Sequence, residues 1–271
     1  MIGSSLIINQ TDSDTKLNTI IPDTVKFGIL IIGDEILSGR RKDKHLEQSI
    51  KILSKQDFQL SWARIVGDDI NFLAQQLREI HQLQHPCFSF GGIGATVDDR
   101  TRQAVAMALG RKMVRHPDAV KEIEAQFGEQ AYPNRILMAD LPAAAEIIPN
   151  PYNRVPGFSV EHFHCLPGFP EMAWPMMEWV LDNKYQHLPR NHVTLRSFIL
   201  HDAQESDLVD LLEQFQNRFP RIKISSLPRL VNNNRRWVEL GIQGIETDVE
   251  AAEESIGRSL REHGFIPRKP E

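Results

Sequence analysis

The run Lys26–Ile32 (KFGILII) is apolar at nearly every position, and it constrains the fold more than any other part of the sequence. A strand that is apolar on both faces must be covered on both sides, which is typical of parallel sheets in α/β proteins. Further strand-like segments, residues 60–66 and 87–90, alternate with helical patterns over residues 43–54, 70–82 and 101–109. This alternation predicts a mostly parallel sheet covered by helices on both faces.

The sequence as a whole is expected to consist of three parts. Residues 1–25 show no periodicity and are expected to form a flexible N-terminal extension. Residues 26–188 are expected to form the α/β domain. Residues 192–268 are expected to form a small α+β domain, with the order strand, helix, strand, strand and helix. In that domain the polar segment 232–234 predicts a hairpin turn, and residues 247–250 predict a capping box at the start of the last helix.

Composition excludes several classes of protein. The chain has 271 residues, of which 41% are hydrophobic and 25% charged, which argues against disordered, collagenous and disulfide-stabilised chains. The net charge of −5 gives no general attraction for nucleic acid, and no stretch approaches the ~20 apolar residues that cross a bilayer. Two widely spaced cysteines, Cys87 and Cys165, are typical of a reduced protein. We therefore predict a cytoplasmic protein with neither membrane nor nucleic-acid partners.

The strongest candidate for a binding loop is the segment GGIGATVDDRT, residues 91–101, which follows a predicted strand and opens a helix. Glycine lets the backbone approach a ligand closely, and free N–H groups at a helix start can hold an anion. Thr96 and Thr101 add hydroxyl donors. The spacing matches neither a Walker A loop nor a G-x-G-x-x-G fingerprint. The segment therefore predicts an anion-binding loop of another kind.

Two acidic residues of this loop, Asp98 and Asp99, are unexpected beside an anion. They are consistent with a divalent cation held next to a phosphate, or with a water molecule that they orient. The structural alternative is helix capping, because acidic residues are favourable in a first turn. The two interpretations are equally good for Asp98, and the functional one is preferred for Asp99.

Two more loops follow predicted strands and are expected at the same edge of the sheet, where ligands of open α/β sheets bind. The first is GDEILSG, residues 33–39, which contains Ser38 and is followed by the basic residues Arg40, Arg41, Lys42 and Lys44. These cations could meet phosphates, or they could belong to a solvated turn. The second is LPGFPEM, residues 166–172, which contains Pro167 and Gly168 and could equally be a structural turn.

Histidines contribute little to the predicted site. His162 and His164 lie two residues apart on a predicted strand over residues 158–166, so they are expected on one face. Two histidines without further ligands do not make a metal site. His45 is expected to be a surface or core polar residue and not a catalytic one.

Together these motifs resemble those of the molybdopterin-binding (MoaB/Mog-like) domain family, and most of all the N-terminal part of the competence/damage-inducible protein A group. The resemblance covers about residues 26–180, and the motifs follow the order of the family. It rests on residues 33–39, 91–101, 134–135, 148–151 with 156–158, and 166–172. The resemblance implies a three-layer α/β/α sandwich with a mostly parallel sheet, followed by a smaller α+β domain.

The resemblance also implies a ligand and roles for residues. Members bind molybdopterin or its adenylated form, and some relatives hydrolyse dinucleotides such as ADP-ribose at the pyrophosphate. Asp99 matches the acidic residue of the glycine-loop motif, and Asp68 matches a second acidic position after the next strand. Asp34 and Glu35 match the acidic pair of the first loop. The phosphate cradle is matched by Gly91, Gly92, Gly94, Thr96 and Thr101.

The chain departs from the family pattern at three places. The family often has proline where Ala95 stands, Asp-Thr-Asn where residues 43–45 stand, and Gly-Thr where Asn153 and Arg154 stand. Two of these changes add cations near the expected pocket. They are consistent with a more phosphorylated ligand, and equally with a lost or changed reaction.

Three functions remain open from the sequence. The first is binding of molybdopterin or a related pterin or nucleotide phosphate ligand, with Asp98, Ser38, Arg40, Pro167 and Gly168 joining the phosphate cradle. The second is a pyrophosphatase in which Asp34 and Asp99 hold a divalent metal (Mg, Mn or Co) and Asp68 or Glu35 orients water. The third is an interaction protein with a vestigial pocket. The resemblance implies a homo-oligomer in each case.

Overall fold

The computed structural model describes residues 25–188, 190, 193–231 and 235–270. It divides them into two compact units, and the division falls between residues 192 and 193. The N-terminal extension and the hairpin turn at residues 232–234 were expected from the sequence, and both lie outside the described residues, except for residue 25 of the extension. Within the described ranges, none of the helices combines the length and the apolarity needed to cross a membrane.

The first unit is an alternation of strands and helices. In chain order its elements are β1 (Lys26–Ile32), α1 (Asp34–Leu37), α2 (His45–Lys55), β2 (Gln59–Val66), α3 (Ile70–Leu83), β3 (Cys87–Phe90), α4 (Thr101–Ala108), β4 (Met113–Arg115), α5 (Pro117–Phe127), β5 (Asp140–Pro142), β6 (Glu146–Ile148), β7 (Gly157–Val160), β8 (Phe163–Leu166) and α6 (Pro170–Lys184).

Six of these strands form one sheet in the order β2-β1-β3-β8-β7-β6. The neighbours β2, β1, β3 and β8 are all parallel, whereas β7 pairs antiparallel with both β8 and β6. The predicted mostly parallel sheet is therefore confirmed. Because the four parallel strands end on the same side, their C-terminal loops share one edge, which we call the carboxyl edge. The opposite side, where β3 and β8 begin, is the amino edge.

The side chains of β1 explain why the sheet is covered twice. Phe27, Ile29 and Ile31 pack in a core with α2 and α6, and Leu30 and Ile32 pack in another core with α3, α4 and α5. Each fully buried side chain of this size contributes about 1.5–3 kcal/mol relative to an exposed one. Burial on both faces gives the three-layer α/β/α sandwich that the resemblance implied.

The largest difference from the sequence prediction lies at residues 158–166. They form two antiparallel strands, β7 and β8, that meet at a turn of Glu161 and His162, where a single strand was expected. The expectation that His162 and His164 share a strand and a face is therefore wrong. His162 stacks on His81 of α3, whereas His164 packs against Phe88 and Tyr185 on the other side of the sheet.

The second unit is the smaller α+β region. Its elements are β9 (Val193–His201), α7 (Val209–Arg218), β10 (Lys223–Val231), β11 (Arg235–Ile245), α8 (Glu246–Glu262) and β12 (Pro267–Arg268). The strands form an antiparallel sheet in the order β10-β11-β9-β12. The predicted capping box is wrong, because α8 begins at Glu246, so that Thr247 lies inside the helix, and its N-cap Ile245 has no side-chain hydrogen bond.

Candidate functional site

A cavity of about 830 Å³ lies at the carboxyl edge of the first unit. Its walls come from the loops that follow β1, β2, β3 and β8, together with residues near 150–155. Each loop begins where one of the four parallel strands ends, so the topology of the sheet brings four distant segments to one place. This is the position at which open α/β sheets bind ligands.

The cavity brings together most of the site residues that the sequence singled out. Those on its lining are Glu35, Arg40, Asp68, Gly91, Gly92, Gly94, Thr96, Asp98, Asp99, Pro167 and Gly168. Three others, Asp34, Ser38 and Thr101, lie just outside the lining. Ser38 accepts a hydrogen bond from the Arg40 guanidinium at 3.2 Å, so it contacts a lining residue.

The glycine loop depends on a backbone shape that a side chain would disturb. Gly91 has a φ of 105°, and a Cβ there would lie 2.4 Å from the carbonyl oxygen of Ile32. Thr101, fully buried, donates its hydroxyl to the Gly91 carbonyl at 2.8 Å and its backbone N–H to Gly92 at 2.9 Å. Thr101 therefore holds Gly91 and Gly92 in place through these two hydrogen bonds, and both glycines lie on the cavity lining.

Asp98 and Asp99 do not cap the helix that follows them. The N-cap of α4 is Arg100, and the two carboxylates instead converge on Thr96. Asp99 accepts the Thr96 backbone N–H at 2.9 Å, and the Thr96 hydroxyl oxygen lies 2.5 Å from one oxygen of each carboxylate. The hydrogen bond from Thr96 lowers the pKa of Asp98, so this carboxyl stays ionised at neutral pH.

A second acidic pair lies between the loops after β1 and β2. The backbone N–H of Asp34 donates to the Asp68 carboxylate at 2.9 Å, and the N–H of Asp68 donates back to Asp34 at 3.3 Å. Partial burial, followed by the charges of Asp34, Glu35 and Asp98, raises the pKa of Asp68. Asp68 belongs to the cavity lining, whereas Asp34 does not.

The cations of the first loop also reach the cavity. Arg40, Arg41, Lys42 and Lys44 all belong to its lining. The guanidinium of Arg41 lies 4.0 Å from the Glu35 carboxylate and 5.5 Å from the centre of the Phe169 ring. Arg154, which was expected to add a cation near the pocket, instead pairs with Glu122 at 2.9 Å outside the lining.

His45 is a lining residue that the sequence analysis had set aside. It is buried, its ring stacks on Phe90 with centroids 4.4 Å apart, and its Nε2 lies 3.3 Å from the Gly168 carbonyl oxygen. Burial lowers the pKa of His45. Asp43 holds the start of α2 by accepting the N–H groups of His45 and Leu46 at 2.9 and 3.0 Å. The Asp43 cap was a readable signal for where this helix begins.

Arg102 is a second residue that sequence reasoning missed. It is 4% exposed and donates to the carbonyl oxygens of Gly94, Leu137 and Asp140. A buried guanidinium is stable only when such acceptors surround it. Arg102 therefore joins the glycine loop to the segment before β5. Nothing in the local sequence distinguishes it from an exposed arginine of an amphipathic helix.

The comparisons with known proteins agree with this architecture. A family model described as "Probable molybdopterin binding domain" matches residues 28–187. CinA-like proteins of Escherichia coli are 33% identical over 202 residues, which covers 71% of this chain and 50% of theirs, and the strain K12 protein is named NMN amidohydrolase-like protein YfaY. Protein Ta0487 of Thermoplasma acidophilum is 25% identical over 241 residues, covering 87% of this chain and 93% of its own.

A solved structure shows the same fold. The crystal structure of a CinA protein of unknown function from Thermoplasma acidophilum matches with a TM-score of 0.54 and 26% identity, and it covers 59% of this chain and 97% of that one. The chain spans about half the length of the Escherichia coli relatives. The family model by itself spans most of the unit that carries the cavity.

Proposed function

The chain belongs to the molybdopterin-binding domain family, and we propose that its carboxyl-edge cavity binds a pterin or nucleotide ligand through a phosphate group. The observation that carries this proposal is the convergence of the glycine loop and four basic side chains on one cavity. Backbone N–H groups and guanidinium groups are the donors that proteins use for phosphate, and such charge-assisted hydrogen bonds are short and strong.

The size and the walls of the cavity suit the organic part of such a ligand. Its volume of about 830 Å³ falls within the range of small-molecule and cofactor sites. Apolar and aromatic side chains, among them Phe127, Met138, Phe169 and Met172, line it beside the charged loops. Phe169 is 53% exposed and already lies under the Arg41 guanidinium, so it offers a planar surface to an aromatic ring.

The acidic residues of the lining fit a divalent cation that is shared with the phosphate. The Thr96 hydroxyl has one hydrogen, yet it lies 2.5 Å from both the Asp98 and the Asp99 carboxylate. The two carboxylates are therefore held side by side on the cavity lining, where a cation would offset their charges. Mg²⁺ is commonly held by one or two carboxylates together with phosphate oxygens. We propose that Asp99, with Asp98, would hold Mg²⁺, Mn²⁺ or Co²⁺, which would offset the charge of the phosphate.

A second candidate function is hydrolysis of a pyrophosphate bond in the same ligand class. The raised pKa of Asp68 favours this candidate, because a more basic carboxylate accepts a proton from water more readily. Asp68 would orient the attacking water, with Asp34 fixing its position through the reciprocal backbone hydrogen bonds. Glu35 is the alternative base on the lining, but it is paired with Arg41. Arg40 and Lys44 would neutralise charge that develops on phosphate oxygens.

The test is a binding and turnover screen with the full chain. ADP-ribose, FAD and molybdopterin would be titrated by calorimetry with and without Mg²⁺, and reaction products would be separated by liquid chromatography and identified by mass spectrometry. Asp99→Asn keeps the shape of the side chain and removes its charge. Asp118→Asn is the matched control, because Asp118 is an exposed acid of α5 paired with Lys121.

We expect micromolar or tighter binding of at least one ligand, and at least tenfold weaker Mg²⁺-dependent binding in Asp99→Asn but not in Asp118→Asn. Turnover that disappears in Asp68→Asn would establish the pyrophosphatase. Binding without turnover would establish a binding module. If no ligand binds the unaltered chain, the proposal fails and the third function, an interaction protein with a vestigial pocket, takes its place.

A further inference from the structure

A second cluster of ligating side chains lies at the amino edge, on the far side of the sheet from the cavity. His81 comes from the last turn of α3, and Glu161 and His162 form the turn between β7 and β8. One nitrogen of each histidine and one carboxylate oxygen lie within 4.8 Å of one another. In the ranges that the structure describes, His, Cys, Asp and Glu side chains form such a group of three only here.

The spacing of two of these atoms is that of ligands around a tetrahedral metal ion. His81 Nδ1 lies 3.4 Å from Glu161 Oε2. Two ligand atoms bound to zinc at about 2.0–2.1 Å in a tetrahedral arrangement are about 3.4 Å apart. The same two atoms are poorly aligned for a hydrogen bond, since His81 Nδ1 has no hydrogen-bond partner within the described residues.

His162 supplies the third donor. Its ring stacks on that of His81, with centroids 5.0 Å apart and planes inclined by 12°. Within the described part of the chain, its Nε2 is buried and lacks a hydrogen-bond partner. Buried imidazole nitrogens normally find a partner. Two unsatisfied nitrogens beside a carboxylate oxygen are therefore a feature that calls for a ligand. The other two separations in the group, both to His162, are at most 4.8 Å, so a shift of this side chain by roughly 1.4 Å would bring the three atoms to the spacing of ligands around one ion.

The carboxylate is already oriented by a neighbouring group. Arg111 donates to the other oxygen of Glu161 at 2.6 Å and to the carbonyl oxygen of Ala143 at 2.8 Å. Metal-binding carboxylates are commonly held in this way by a second hydrogen bond. The guanidinium also reduces the attraction of the carboxylate for a hard cation, so the two imidazoles must supply most of the affinity.

We propose that His81, Glu161 and His162 bind a divalent transition-metal ion, Zn²⁺ in particular, with water in the fourth position. Imidazole ligands favour Zn²⁺, Ni²⁺ and Cu²⁺, whereas Mg²⁺ and Ca²⁺ favour oxygen ligands. The ion would tie the end of α3 to the turn of the β7–β8 hairpin. The side chains of His81 and Glu161 are 36% and 34% exposed, so the ion can enter from solvent. The proposal is independent of the function of the cavity.

The experiment measures Zn²⁺ affinity of the full chain by calorimetry and by competition with a chromogenic chelator, in the absence of phosphate compounds. The variants are His81→Ala, His162→Ala and Glu161→Gln, the last of which keeps an acceptor for Arg111. His187→Ala is the matched control, because it removes an exposed histidine outside the cluster. Asp99→Asn separates this site from the acidic residues of the cavity.

We expect one Zn²⁺ per chain, at least tenfold weaker binding in each of the three cluster variants, and unchanged binding in His187→Ala and Asp99→Asn. Co²⁺ bound in its place should show the visible absorption of a tetrahedral ion, which is lost in His81→Ala. The proposal is overturned if the unaltered chain takes up no Zn²⁺, or if the cluster variants bind it as tightly as His187→Ala does. Circular dichroism establishes that each variant is folded.

Discussion

The two edges of the six-stranded sheet carry opposite kinds of chemistry. At the carboxyl edge, glycine backbone, carboxylates and flexible cations surround a cavity of about 830 Å³. At the amino edge, the imidazoles of His81 and His162 stack on each other beside the Glu161 carboxylate, which accepts a hydrogen bond from Arg111. The first edge offers oxygen ligands and anion donors, and the second offers mainly nitrogen ligands. The two sites that we propose on this sheet would therefore select different ions.

The difference follows from how each edge is built. Loops follow the strands that end at the carboxyl edge, and two glycines of the loop after β3, Gly91 and Gly92, have positive φ and lie on the cavity lining. The amino-edge cluster lies at a helix end and a hairpin turn, and its donor atoms belong to side chains. Side chains, and not backbone, must supply any ligands there. Recognition at the carboxyl edge thus depends on backbone shape, and at the amino edge on side-chain identity.

The largest expected difference is between Gly91→Ala and Gly110→Ala, in their effects on stability and on ligand binding. Gly91 lies at the carboxyl edge with a φ of 105°, and an added Cβ would lie 2.4 Å from a backbone oxygen. Backbone strain and overpacking together should cost about 2–6 kcal/mol and abolish ligand binding. Gly110 has a φ of 63° and open space around it, so alanine there should cost about 1 kcal/mol. Urea denaturation and ligand titration measure both. Similar losses in the two variants would contradict the contrast.

The carboxyl edge was largely predictable from the sequence because its signals are local. Apolar runs followed directly by GDEILSG, GGIGATVDDRT and LPGFPEM indicate strand ends and loops without any knowledge of the partners. The parallel sheet then requires those loops to meet. The structure confirms the sheet and its layers, and it places most of the expected residues around the cavity.

The amino-edge cluster was not predictable, because its members are distant in sequence. His81 and His162 meet only because α3 packs beside the β7–β8 turn. The turn itself was missed, since residues 158–166 contain no glycine or proline to mark it and were interpreted as one strand. Arg102 was missed for a related reason: burial of a polar side chain depends on which carbonyl groups surround it in three dimensions.

A histidine inside β8, between the two edges, allows a test that depends on neither site. His164 is buried, with Ser159 at 2.8 Å and Tyr185 at 2.6 Å on its two ring nitrogens, and burial lowers its pKa to about 3. The unfolded chain takes up this proton below a pKa of about 6.5, whereas the folded chain takes it up only near pH 3. Stability should therefore fall as the pH falls from about 6.5 toward 3, by about 2 kcal/mol at pH 5 from this group.

His164→Gln keeps polar atoms for both partners and removes the titration, so its stability should depend less on pH in that window. Denaturation midpoints between pH 4 and pH 7 provide the measurement, and His187→Gln, at an exposed histidine, is the control. If the pH dependence of His164→Gln matches that of the unaltered chain, the histidine takes up its proton equally in both states and the assignment is wrong.

The smallest expected effect is the coupling between the edges, which distinguishes two separate sites from one connected system. The four residues of β3 span about 13 Å, and effects of sites more than about 10 Å apart usually add within about 0.5 kcal/mol. The free energies of unfolding of Asp99→Asn, His81→Ala and the double variant should therefore be additive within that limit. Ligand affinity should change less than about twofold in His81→Ala. A coupling of about 1.4 kcal/mol, a tenfold effect on an equilibrium, would mean that the sheet transmits binding from one edge to the other.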